Sequence, residues 1–200
     1  MNLRLSEDLR CNRKERWLWK YQNNPAGFWG EQGGMCYHRT FTQLSHDEAE
    51  DELRMISAGM KEYGVIPRTF IFSRNCVAHL DLLEKYKYIC YRSYGDLIKN
   101  CMYIEKCGQL YNVHPSICIN QHSNLLLLKK ILDISIKKKL PFHIWFHFWN
   151  FGEDEKSISK TIKNLFIPFL YYAKEKQENR QLAFGTMLSA AEKVEKRFNL

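Results

Sequence analysis

Few residues in this chain carry chemistry to offer, and they lie far apart: Arg74, Asn75, Arg92, His147 and Asn150, with His38 and His46 nearer the start. A histidine transfers protons near neutral pH. An arginine orients a carboxylate or stabilises an oxyanion through its planar fork of donors. His38 and His46 precede the first clear helix, where imidazoles can ligate a metal, although lone loop histidines also serve as plain polar groups. The structural alternative for the others is equally simple. Arg74 and Arg92 then cap neighbouring loops, and His147 is a satisfied core histidine. His79 falls inside a helical pattern and reads as packing or as a hydrogen bond to a loop, while His114 and His122 are loop histidines with no evident partner. Several chemistries lack their signatures. His143 and His147 have the spacing of a helical zinc pair, but Ile144 stands where a metalloprotease helix carries glutamate. No GxSxG, GxxxxGK[ST] or GxGxxG occurs, which removes the nucleophile elbow and the phosphate and dinucleotide loops. No two aspartates adjoin.

Strand ends must position these groups. The stretch PFHIWFHFWNFG, residues 141–152, reads as a buried strand opening into a loop. Alternation places His143, Trp145 and His147 on one face, with Ile144 and Phe146 on the other. His147 comes last, at the strand end where parallel α/β barrels carry their sites. Upstream, Ser45 and Glu48 form a capping-box pattern, Ala49, Leu53, Ile56, Met60 and Tyr63 follow at helical spacing, and Gly64 ends the helix. Residues 68–72 read as a strand and 73–75 as the loop after it. Val77, Leu80, Leu83 and Tyr86 mark a second helix, residues 88–91 a second strand, and Arg92 follows that strand. Residues 92–121 read as a long loop with room for a short helix. An apolar helix is expected over 123–139, with lysines at its C-terminal end. Another spans 157–176, turning Ile158, Ile162, Leu165, Phe169 and Tyr172 inward, with a kink expected at Pro168. Residues 182–184 read as a last strand and 189–197 as a last helix. Before all this, residues 7–20 suggest a charged helix and 23–34 a loop rich in Asn, Pro and Gly. Strands alternating with helices imply parallel pairing and right-handed crossovers, hence an α/β barrel or a doubly wound sheet. Four or five strands are too few to close a barrel, so its first strands are expected to be missing.

Composition narrows the field. The 200 residues suit one domain with a real core, and aromatics at 14% exclude a disordered chain. Net charge is +8, from 30 Lys and Arg against 22 Asp and Glu. That surplus suits polyanions. However, the lysines spread along helices and no nucleic-acid motif accompanies them, so no nucleic-acid partner is expected. The 7 cysteines include no CxxC pair, which favours free thiols in a reducing compartment. The N-terminus lacks the apolar core of a signal peptide, and no apolar run reaches the ~18 residues of a membrane span. A soluble cytoplasmic protein without a membrane span is the expectation.

Two phrases resemble a family. TFIFSRNCVAHLDLLEKYKYICYRS, residues 69–93, is similar to FxFPRNxxxHLDLLxxxGFxxYRG, found in a branch of the polysaccharide deacetylase (NodB-homology) superfamily. FHIWFHFWNFGE, residues 142–153, resembles that branch's later strand ending in WxHPxNF. The likeness runs over about residues 37–196. It implies a distorted (β/α)7 barrel, incomplete at its N-terminal strands, that removes acetyl groups from N-acetylated sugars or polysaccharides with a divalent metal, zinc or similar. In the family an Asp-Asp pair supplies a base and a ligand, histidines complete the site, and the metal polarises the carbonyl and activates water. An arginine orients the base, and a late histidine gives a proton to the leaving group. On this resemblance Arg74 and His147 are the catalytic residues. Asn75, Trp145 and Asn150 contact substrate, and His38 and His46 are the metal ligands. The chain departs from the pattern in several places. The Asp-Asp pair is absent, Thr42 or Gln43 stands where the second histidine belongs, and Ser73 and Phe148 replace prolines. Residues 1–36 are then an aberrant segment before a domain at 37–200, as a truncated gene or shifted frame would leave. The rival expectations are an inactive remnant or carbohydrate-binding module of the same fold, and a basic nucleic-acid-binding domain.

Overall fold

The structure, a computed structural model, describes residues 40–93 and 103–198. The helix and loop expected before residue 36, and His38, lie outside the described residues. The chain divides into two compact units, one of Met1–Ser93 with Lys106–Asn112, the other of Tyr94–Glu105 with Val113–Leu200.

The first unit starts from the capping box. Glu48 N–H donates to Ser45 Oγ at 3.3 Å, and Ser45 N–H donates to Glu48 Oε2 at 2.9 Å. Two orphan amides of the first turn are thereby satisfied. Helix α1, His46–Glu62, follows and buries Ala49, Leu53, Ile56 and Met60. Tyr63, expected inward, is instead the C-cap and 42% exposed. Strand β1, Thr69–Ile71, pairs in parallel with β2, Cys90–Arg92, so that Ile71 lies opposite Arg92. Between them helix α2 spans only Leu80–Lys85. His79 is its N-cap in the left-handed region, not an interior residue. The core is an aromatic chain: Phe41 on Phe70 at 5.2 Å, Phe70 on Phe72 at 4.9 Å, Phe72 on Tyr91 at 5.7 Å between centroids. Tilted and edge-on contacts of this kind are the favoured aromatic geometry.

Within the long loop expected over 92–121, the described residues 103–121 include three strands. These are β3, Ile104–Cys107, β4, Leu110–Val113, and β5, Ile117–Cys118. Gly108, at φ 62°, makes the turn between β3 and β4, and Gln109 N–H donates to Glu84 Oε1 at 2.8 Å beside it. All four residues of β4 are buried, so it shows none of the alternation that marks a half-exposed strand. The sheet order is β1-β2-β4-β3, with β4 parallel to β2.

In the second unit β5 pairs in parallel with β6, Ile144–Trp145, in a two-stranded sheet. β6 is far shorter than the expected strand, because residues 148–151 coil into a 3₁₀ turn. Helix α3, Leu125–Lys138, is capped by Asn124, whose Oδ1 accepts from Leu127 N–H at 3.1 Å. A long helix follows as α4, Glu155–Thr161, a π-helical turn, Ile162–Phe166, and α5, Ile167–Glu178. The π turn stands directly before Pro168 and leaves the proline in the first turn of α5. There its missing N–H is tolerated, which a plain α-helical interior would not allow. Ile119, Leu128, Leu132, Phe151, Leu165, Phe169 and Ala173 form this unit's core. No strand forms over 182–184, where Phe184 is exposed, and helix α6 spans Met187–Phe198.

Among the described residues the strands form these two sheets and do not close a barrel. None of the described helices is long and apolar enough to cross a membrane.

Gly152 is the tightest junction of the second unit. A Cβ there would sit 2.2 Å from Ser157 Oγ and 2.7 Å from Ile158 N. Gly152→Ala is expected to destabilise the fold by about 1–3 kcal/mol in urea unfolding, the usual cost of overpacking. An unchanged midpoint would contradict this packing.

Candidate functional site

In the first unit the carboxyl ends of β1, β2 and β4 carry the polar groups. β1 runs out into the turn Ser73–Asn75, where Arg74 has φ 53°, ψ 20° and Asn75 has φ 55°. His79 follows at φ 54°. Asparagine and histidine enter this left-handed region more readily than most residues and arginine does so rarely, and a residue held there costs on the order of 1–3 kcal/mol. Named contacts hold the strain. Asn75 N–H donates to Phe72 O at 2.9 Å, and Cys76 N–H to Ser73 O at 3.1 Å. Arg92 Nε donates to Asn75 Oδ1 at 3.2 Å. The imidazole of His79 donates through Nε2 to Leu44 O at 3.1 Å. Arg92 is therefore the last residue of β2, only 7% exposed, and not part of a loop beyond it. Next to it Ser93 N–H donates to Asn112 Oδ1 at 3.2 Å, and Asn112 Nδ2 donates to Ser93 Oγ at 2.7 Å. Asn112 had no place in the sequence reading, since an asparagine near a short strand carries no local signature. Arg74 itself is exposed, and its guanidinium has no partner among the described residues. The turn thus presents one free cation over a satisfied polar ridge, an arrangement suited to an oxyanion or carboxylate.

His46 does not gather ligands. It is exposed, its Nε2 lies 2.7 Å from Asp81 Oδ2, and its ring stands edge-on to His79 at 5.6 Å. The hydrogen bond from His46 holds the Asp81 carboxyl below the usual carboxylate range, against a smaller opposing effect of desolvation. Among the described residues no group of three or more His, Cys, Asp or Glu could hold a metal ion. His46 and Asp81 alone do not make a zinc site, which takes at least three protein ligands.

The second unit holds His147, Trp145 and Asn150. His147 N–H donates to Asn150 Oδ1 at 2.7 Å, and Asn150 N–H donates back to His147 O at 2.9 Å. Gln121 N–H donates to Asn150 O at 2.8 Å, tying the turn to the segment after β5. The ring of His147 stacks on Trp149, 4.0 Å between centroids and 13° between planes, and meets Trp145 edge-on at 5.7 Å. His147, Trp145 and Asn150 thus form one local cluster, while Arg74 and Asn75 belong to the other unit. His143 is structural. Its Nδ1 lies 3.2 Å from both Val113 O and His114 O, and its N–H donates to Ser116 Oγ at 2.9 Å.

His114 is the residue the sequence reading left without a partner. It sits directly after β4, 6% exposed, with Nε2 3.2 Å from Glu105 Oε2 and its ring stacked on Tyr103 at 4.2 Å. Nδ1 of His114 has no partner among the described residues. The only local signal was its position at the end of the apolar run LYNV. Chemically, the second unit offers a proton donor or acceptor at His147 and a carboxylate-held imidazole at His114. His122 stays exposed, and only its backbone N–H is used, by Asn120 Oδ1 at 2.9 Å.

The chain matches no family model, no curated protein and no solved structure.

The His46–Asp81 pair makes a pH-dependent contribution with a definite sign. Asp81 is depressed, so its contribution is full above the ordinary aspartate value, roughly 3.9, and is lost as pH falls through the lowered folded value. His46→Ala is expected to return the Asp81 carboxyl toward its ordinary titration in carbon-detected NMR. An unmoved Asp81 midpoint would show that the pair does not form.

Proposed function

We propose that the chain is a hydrolase domain of the polysaccharide deacetylase type, cleaving the carbon–nitrogen bond between an acetyl group and an amino sugar. The observation that carries this reading is His147. It stands just past a parallel strand, its backbone is held on both sides by Asn150, and its ring stacks on Trp149 and meets Trp145 edge-on. In amide hydrolysis a water oxygen adds to the acetyl carbon and loses a proton to bulk water, the carbon–nitrogen bond breaks to leave acetate, and the departing nitrogen takes a proton. His147 is the donor of that proton. Asn150 fixes the turn that presents His147. Parallel pairing of β1 with β2 and of β5 with β6 supports an α/β barrel of the distorted (β/α)7 kind as the parent architecture.

A second reading has its own observation. His46 is committed to Asp81, and the described residues supply no ligand set. The commitment of His46 to Asp81 favours a domain of the same fold that binds sugar without hydrolysing it. The basic nucleic-acid reading is weaker, because it rests on net charge alone.

Incubation of the full chain with N-acetylglucosamine oligomers distinguishes them. Hydrolysis predicts acetate release, falling at least about 10²-fold in His147→Ala, as loss of a general acid does. Absence of acetate from the wild-type chain, with added zinc, would end the hydrolytic reading and leave the binding one.

A further inference from the structure

The turn that carries His147 also displays two large aromatic side chains to solvent. Phe148 is 71% exposed and Trp149 69%. Single exposed apolar residues are ordinary, but two adjacent ones on an ordered turn are not a chance of fraying. The display is built. Phe151, at the far end of the same turn, is buried and stacks on Phe146 at 4.8 Å, with Phe166 tilted against it at 5.4 Å. Asn150 fastens the turn to His147 and to Gln121. The indole of Trp149 lies nearly parallel to the His147 ring, so one face is covered by imidazole and the exposure belongs to the remainder.

The surroundings choose among occupants. Glu153, Asp154 and Glu155 follow the turn directly and are exposed, with a single exposed lysine, Lys156, after them, so carboxylates predominate beside the turn. An anionic lipid surface or a nucleic acid would meet like charge there, since both are recognised by lysine and arginine. Asn150 Nδ2 has no partner among the described residues and remains a donor. An exposed aromatic pair followed by carboxylates suits a ring that is apolar on its C–H face and hydroxylated or amino-substituted at its rim. We propose that Trp149, with Phe148 beside it, is a stacking subsite for a neutral or amino-substituted pyranose ring. This rests on the carbohydrate part of the function proposed above and is independent of hydrolysis.

The test is binding of chitotriose and cellotriose to the full chain by calorimetry. Both trisaccharides are expected to bind, because the stacking surface reads the ring and not the acetyl group. Trp149→Ala is expected to weaken both by about tenfold or more, in line with loss of one aromatic stack, and Trp149→Phe to restore part of the affinity. The side chain is exposed, so the thermal midpoint of Trp149→Ala should match wild type and separate lost binding from lost fold. Wild-type affinity in Trp149→Ala overturns the subsite. So does failure of both sugars to bind, or binding of oligothymidine that depends on Trp149 when the sugars do not bind. Trisaccharide binding that depends on Trp149 without any acetate release sustains the subsite and sinks the hydrolytic reading. Acetate release together with trisaccharide affinity untouched by Trp149→Ala does the reverse.

Discussion

Asn150 grips the backbone of His147 from both sides, taking its N–H on the side-chain oxygen and feeding its carbonyl from the main-chain N–H. Everything notable about the second unit depends on that closed turn. A strand continued past Trp145 would have sent successive side chains to opposite faces and left His147 one residue among many. The turn instead stops β6 after two residues, plunges Phe151 into the core and leaves Phe148 and Trp149 outside. The stability of the display therefore comes from a buried neighbour three residues away from the most exposed ring, not from contacts of that ring itself. Gly152 completes the device by letting Ser157 and Ile158 approach where any Cβ would block them.

The first unit meets a similar need by another route. Its turn after β1 is strained at Arg74 and Asn75, and again at His79. Strain of this kind persists only where the surroundings over-determine it. Here the determinant is a buried arginine on the neighbouring strand, Arg92, that reaches Asn75 because parallel pairing sets Ile71 opposite Arg92. The register of the sheet is thus what fixes the conformation of the turn. Arg74 gains its exposure from this: with its own backbone held, the guanidinium need not fold back to cap the loop.

What the sequence disclosed follows the range of the interaction concerned. The capping box at Ser45 and Glu48, the inward stripe of Ala49, Leu53, Ile56 and Met60, and the apolar helix after Asn124 are all decided within one or two turns of chain. The strands over 104–113 escaped notice because β4 is buried on both faces and the strands are too short to show a period. His79 looked helical because Val77, Leu80 and Leu83 keep helical spacing, yet the tertiary contact to Leu44 draws it into a cap. Pairings such as Arg92 with Asn75 or His114 with Glu105 have no local signature, since only strand adjacency brings them together. Candidate residues could thus be named from strand ends. Which of them were already committed, as His46 is to Asp81, required the fold.

The positive surplus is unevenly placed along the chain. On α3 the lysines 129, 130, 137 and 138 outnumber the single acid, Asp133. Two cations close over one ring there: Lys129 Nζ lies 4.7 Å and Lys176 Nζ 4.8 Å from the centroid of Tyr172. The Tyr172 hydroxyl donates to Asp133 at 2.7 Å, and desolvation followed by that carboxylate pushes its phenol above the usual value. Such an arrangement spends positive charge on packing between helices, where cation–π contact and a shared carboxylate offset the crowding of lysines. The turn after His147 has the opposite sign, with Glu153, Asp154 and Glu155 exposed in sequence. A polyanion attracted by the chain as a whole would therefore meet like charge beside Phe148 and Trp149. A ligand without negative charge meets no such conflict, and this local sign, more than the total of +8, decides which chemistry the turn can accept.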